Sequence, residues 1–132
     1  MADHFSKVLD YLAELGLHPM FADAEKQLCV VNDEKRGIVG LVIDCEDPIL
    51  VVEQKILNAP NLTKEAAVRL LQMNRTIVHG AFCLDESGKN VIFRDTLRLD
   101  TLDLAELQGT LESLALALAE HSAELLKFAR SK

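Results

Sequence analysis

Between Asp103 and Ala129 the sequence repeats large apolar residues at steps of three and four: Leu104, Leu107, Leu111, Leu114, Leu118, His121, Leu125 and Phe128. That spacing is one stripe of an α-helix. At ~1.5 Å per residue the segment spans about 40 Å. A sheet of five strands at ~4.8 Å spacing is only about 20 Å wide, and a strand of about eight residues is about 26 Å long. Even laid diagonally, the helix reaches or overruns such a sheet. Its far end nevertheless keeps Leu125, Leu126 and Phe128. Each of these stabilises by about 1.5–3 kcal/mol when fully buried. Either the helix bends near His121-Ser122, or something outside the monomer covers its end.

The rest of the chain has to supply that sheet. Residues 3–15 carry Phe5, Val8, Leu9, Leu12 and Leu15 on one helical face, with Asp3 as a cap and Gly16 as a stop. His18-Pro19 forbids continuation. From Gln27 the period changes to that of strands. Leu28–Val31, Ile38–Cys45 and Ile49–Leu57 are joined by the polar turns Asn32–Gly37 and Asp47-Pro48, which predicts an antiparallel meander. In the third of these strands Glu53 and Lys55 share a face, the place expected of a sheet edge. Thr63 caps a second helix running to about Asn74. Ile77–Leu84 and Val91–Leu99 then form a hairpin about Asp85–Asn90, with Gly88 at positive φ. Asp95 breaks the apolar face of the last strand. The predicted order is α-β-β-β-α-β-β-α, a single α+β domain over 1–132 with one five-stranded antiparallel sheet and packed helices.

Composition narrows the function. Apolar residues make up 49% of 132, enough for a core rather than a disordered chain. Fourteen Lys and Arg against 21 Asp and Glu leave a net charge of −7, which repels phosphate backbones, so nucleic acid is not the expected partner. No apolar run approaches the ~20 residues that cross a bilayer, so no membrane role is expected. Met1–His4 lack the basic and apolar regions of a signal peptide, which makes the cytoplasm the expected compartment.

No motif carries chemistry. There is no phosphate loop, GxSxG or HExxH. Asp85-Glu86-Ser87-Gly88 lacks calcium-loop spacing and reads as a solvated turn. Asp100 and Asp103 read as capping groups. Cys29, Cys45 and Cys83 are odd in number, unpaired by any CxxC and set in apolar runs, so all three are expected reduced, buried and free of metal. His79 and Cys83, if on one strand, lie ~13 Å apart, too far for one ion. His121 sits in the helical stripe as a packing residue. The expected sites are therefore empty of catalytic residues, cofactor and metal, and an enzyme would need a site assembled from distant residues.

What does stand out is apolar surplus. Ile38–Cys45 is apolar on both faces, and the final helix holds a second set at Leu116, Ala117, Ala119 and Leu126. Either helices cover both sheet faces, or a partner covers what remains. Leu70, Leu71 and Met73 on the second helix, and Leu125, Leu126 and Phe128 on the last, are the candidate dimer or client interface.

Residues Leu70–Asn74, His79–Asp85, the turn Glu86–Lys89, Thr96–Asp100 and the leucine-rich final helix resemble the type III secretion chaperones of the Tir-chaperone family, and the related YbjN-like proteins of the same fold. The resemblance implies a homodimer that works without ATP. It would hold an extended segment of a secreted effector against apolar surfaces, by helix-in-groove contact and strand addition. It points to the second helix for pairing. The YbjN-like branch implies a cytosolic regulatory or binding role without secretion. No catalytic residue carries over.

Overall fold

The computed structural model describes residues 3–130; Met1 and Ala2, half of the tetrapeptide weighed against a signal peptide, lie outside them. The elements run α1 (His4–Glu14), β1 (Phe21–Asp23), β2 (Leu28–Asp33), β3 (Ile38–Glu46), β4 (Ile49–Asn58), α2 (Lys64–Met73), β5 (Ala81–Leu84), β6 (Asn90–Arg98) and α3 (Leu104–Arg130). Three of the expected caps form, whereas among the described residues Asp100 caps no helix and instead lies 3.8 Å from His4 Nε2. Asp3 accepts from the Phe5 and Ser6 amides, Thr63 from Ala66, and Asp103 from Glu106.

The sheet has six strands in the order β1-β2-β3-β4-β6-β5, every neighbour antiparallel. The expectation of five omitted β1. That strand is three residues long, exposed, and has no alternating pattern to announce it. Asp23 accepts from the Glu25 and Lys26 amides, and Gln27 adopts a left-handed φ of 56°, which closes a tight hairpin onto β2.

Two further expectations are corrected. Glu53 is not at an edge: β4 lies between β3 and β6, and Glu53 faces Arg94 across the ladder at 3.1 Å. Residues 77–80 do not belong to β5. Val78 is 80% exposed there, and Gly80 turns the chain at φ 80°. His79 is instead tied to α3, its amide donating to Ser113 Oγ and its carbonyl accepting from the same hydroxyl.

One sheet face is the core face. Its cross-strand rows are Val31–Leu41, Cys29–Ile43–Val52 and Cys45–Leu50–Leu97, with Gln54–Phe93–Phe82 toward the other end. Phe5, Val8 and Leu12 of α1, Leu70 and Met73 of α2, and Leu107, Leu111 and Leu114 of α3 join this same cluster. Asp95, which interrupts the apolar pattern of β6, accepts a 2.7 Å bond from the fully buried Thr110 hydroxyl and so ties the sheet to α3. The opposite face, with Val30, Val42 and Val51, stays only half-buried. The apolar surplus of β3 therefore lies partly there. Among the described residues no helix is long and apolar enough to cross a membrane.

The cysteines divide by face. Cys29 and Cys45 are buried on the core side, and burial pushes each thiol up to about 11. Cys83 departs from the expectation: it points to the other face and is only half-buried. In the native protein near neutral pH, a thiol reagent should therefore modify Cys83 first, with Cys29 and Cys45 reacting only on unfolding. Mass-spectrometric mapping that finds equal rates at all three would contradict this arrangement.

Candidate functional site

The far end of α3 resolves the geometry raised by its length. Leu125 and Phe128 are buried within this chain, in the cluster that holds Leu70 and Met73 of α2. Arg69 of α2 donates to Glu124 of α3 at 2.7 Å, and this bond first of all holds the Glu124 carboxyl below its ordinary range. The His121 ring stands edge-on to Phe82, 6.3 Å between centroids, and its Nε2 lies 3.4 Å from Thr76 Oγ1. So α2 and the start of β5 cover the end of α3 from inside the monomer, which corrects the expectation of a cover from outside it. Of the six candidate interface residues, Leu70, Met73, Leu125 and Phe128 are core. Leu71 and Leu126 are exposed, at 70% and 52%.

Those two exposed leucines lie on separate surfaces. Leu71 shares the outward side of α2 with the exposed Val68. Beside it the outer edge of β5 is plugged: the Asn74 side-chain amide accepts from the Phe82 N–H at 2.8 Å and donates to the Phe82 carbonyl at 3.0 Å. An added strand cannot use Phe82 while Asn74 holds it. The edge at β1 has no such plug among the described residues, and Met20 and Phe21 are exposed there.

Leu126 lines a groove of about 820 Å³ between α3 and the ends of β3 and β4. The groove exists because two strands part. The β3–β4 ladder runs only from Glu46↔Ile49 to Val42↔Glu53, so Ile38–Leu41 leave β4. Gly40, at φ 65°, turns there, its amide bound by Asn32 at 2.6 Å. Gln54, 5% exposed, bridges the gap with its amide, accepting from Val39 N–H and donating to the Gly37 carbonyl. One wall is the outward stripe of α3, with Leu116, Ala119, Ser122 and Leu126; the other carries Val39, Ile56 and Leu57. Val39 and Leu116 are each 55% exposed. The rim holds Lys35, Arg36 and Lys55 and no acidic residue. Leu116 and Leu126 were legible as surplus on α3. Val39 and the basic rim were not, because only the parting of β3 from β4 sets them against that stripe. The signal available was Gly40 inside an apolar strand.

On the other flank of Leu116 lies a hollow of about 280 Å³ lined by His79, Gly109, Ser113, Glu112 and Glu120 among others. A Cβ at Gly109 would come within 3.1 Å of His79 Nε2, so the helix glycine makes room for that side chain. His4, Asp47 and Asp100 place ligand atoms within 4.8 Å of one another, but both carboxylates are exposed, as such groups commonly are without an ion.

The family model CesT_Tir_1 matches residues 1–131. No curated protein sequence matches the chain. Among solved structures, YbjN from E. coli is similar at a TM-score of 0.69 and 13% identity, covering 92% of each chain. The HopA1–SchA chaperone–effector complex gives a TM-score of 0.62 and 13% identity, over 99% of this chain and 100% of that one. The Yersinia pestis type III secretion chaperone SycH, in complex with a stable fragment of YscM2, gives 0.61 and 18%, over 87% and 98%. At these identities the structural likeness shows the fold.

Proposed function

We propose, because this chain belongs to the CesT_Tir_1 family of type III secretion chaperones, that it holds a segment of a client protein as a non-enzymatic, nucleotide-independent binding domain in the cytoplasm. The observation that carries this reading is the groove along α3. It is open and lined mainly by apolar side chains, with Lys35, Arg36, Gln54, Lys55 and Ser122 as its polar members. Its volume lies within the range of sites that enclose a specific ligand. Proteins of similar fold include a chaperone in complex with an effector and a type III secretion chaperone in complex with a fragment of another protein. The test is co-purification with the products of adjacent genes, followed by calorimetry on each purified candidate without nucleotide. A secreted protein that binds wild type and is lost on Leu126→Asp supports the reading. Binding that requires nucleotide, or that survives this change, counts against it.

A YbjN-like regulatory role is the second reading, supported by the TM-score of 0.69 to YbjN. An adjacent secretion operon favours the chaperone; its absence, with a cytosolic binding partner, favours the regulator.

The homodimer belongs to this proposal as well. The surface we assign to it is the outward side of α2, with Val68 and Leu71, since α2 lends its other side to α3. A copy related by two-fold symmetry would cover it with itself. Sedimentation at micromolar concentration should give twice 14.6 kDa. Leu71→Asp should give a folded monomer, and Leu126→Asp a dimer. A wild-type species of 14.6 kDa would defeat the claim.

A further inference from the structure

Resting on the client-binding reading, we propose that the α3 groove selects a segment whose apolar anchors are flanked by Asp or Glu. The chain as a whole is acidic, with 21 carboxylates against 14 cations. The groove reverses that: three cations line it and no carboxylate does. Arg36 gives its Nε–H to Asp33 at 2.7 Å, which holds the guanidinium at the rim. Neither Lys35 nor Lys55 makes an ion pair or hydrogen bond among the described residues, and both are exposed. Long-range attraction by the whole molecule would favour a basic segment. Within a Debye length of the rim, about 10 Å at 0.1 M salt, the near cations oppose that preference.

The floor supplies the hold and the rim the choice. Leu116 and Leu126 stand ten positions apart on α3, about 15 Å along its axis. With Ala119 and Ser122 small between them, two ridges flank a shallow trough into which a partner's apolar side chains fit. Exposed ion pairs contribute little each, so charge should tune affinity by a few-fold rather than create it.

The experiment uses three fluorescent peptides that share one apolar core and differ in their flanks, which are Asp, Ser or Lys. Anisotropy is read with the full chain at about 50 mM and about 500 mM salt, conditions that change the screening length several-fold. The Asp-flanked peptide should bind roughly five-fold tighter than the Ser-flanked one at low salt, and the gap should close at high salt. The double variant Lys35→Glu/Lys55→Glu should invert the order, and Leu126→Asp should weaken all three peptides. Lys-flanked binding that is tightest to wild type, or an order unchanged by the double variant, overturns the proposal. Three equal affinities that Leu126→Asp abolishes would leave the client-binding reading standing and remove the acidic selectivity. No binding of any peptide or client to wild type would remove both. A shift of wild-type dimer to monomer on Leu126→Asp would show a second copy in the groove and also overturn the proposal.

Discussion

Replacing Gly80 with Ala should destabilise the fold by about 2–5 kcal/mol, far more than the same change at Gly88. Both glycines hold a left-handed backbone, φ 80° and φ 72°. Any L-residue there costs about 1–2 kcal/mol. The surroundings differ. At Gly88 an added Cβ meets nothing within 4 Å. At Gly80 it would lie 2.5 Å from Phe93 Cζ, 2.9 Å from Cε1 and 3.1 Å from the Arg94 carbonyl. The ring cannot step aside cheaply, because Phe93 is fully buried and stands edge-on to Phe82 at 6.3 Å. Overpacking of such a site costs about 1–3 kcal/mol beyond the backbone term. Urea denaturation with unchanged slopes measures both variants. Gly80→Ala should lose at least about 1 kcal/mol more than Gly88→Ala, and Phe93→Leu in the Gly80→Ala background should return part of it. Equal losses at the two glycines would mean that Gly80 is needed only for its φ.

This glycine marks where reading the sequence stops. The hairpin 85–90 and its Gly88 were legible, since a polar run with one glycine between two apolar strands specifies a turn locally. Gly80 sits inside Ile77-Val78-His79-Gly80-Ala81, which leads directly into the apolar run Ala81–Leu84 and so reads as the start of a strand. What takes 77–80 out of the sheet is distant: the Ser113 hydroxyl on His79 and the Phe93 ring under Gly80. The same division holds elsewhere. Caps at Asp3, Thr63 and Asp103 depend on three neighbouring residues and were readable. The plug of Asn74 on Phe82 and the Glu53–Arg94 pair depend on which strands adjoin, and local pattern does not encode that order. In the groove, the leucines of α3 were legible as an unpartnered set. Lys35, Arg36 and Val39 enter it only because β3 leaves β4 at Gly40.

The adjacent leucines near the end of α3 test that division most sharply. Leu125→Asp should prevent stable folding, whereas Leu126→Asp should cost no more than about 0.5–1 kcal/mol. In the sequence Leu125 belongs to the main stripe and Leu126 to the second apolar set, yet both stand among the candidate interface residues at the helix end. In the structure, residues one apart point about 100° from each other, and although both border the groove only Leu126 reaches solvent. Leu125 is 1% exposed, in the core with Leu70, Met73 and Phe128, under the Arg69–Glu124 bridge that fastens α2 over it. An aspartate there loses the leucine's burial, about 2–5 kcal/mol, and sets an unpaired carboxyl in an apolar site at a further cost of several kcal/mol. The sum, roughly 5–10 kcal/mol, is comparable to the stability of a domain in the lower half of the usual range of about 5–15 kcal/mol. Leu126 is 52% exposed at the groove. Circular dichroism melts separate the two, and Leu125→Ala provides a measurable intermediate at about 2–5 kcal/mol. A folded Leu125→Asp protein with wild-type stability would mean that the end of α3 is not covered by α2, and that its apolar residues wait for a partner after all. A Leu126→Asp protein that melts as early as Leu125→Asp would mean that the groove wall is part of the core, with no surface there for a client to occupy.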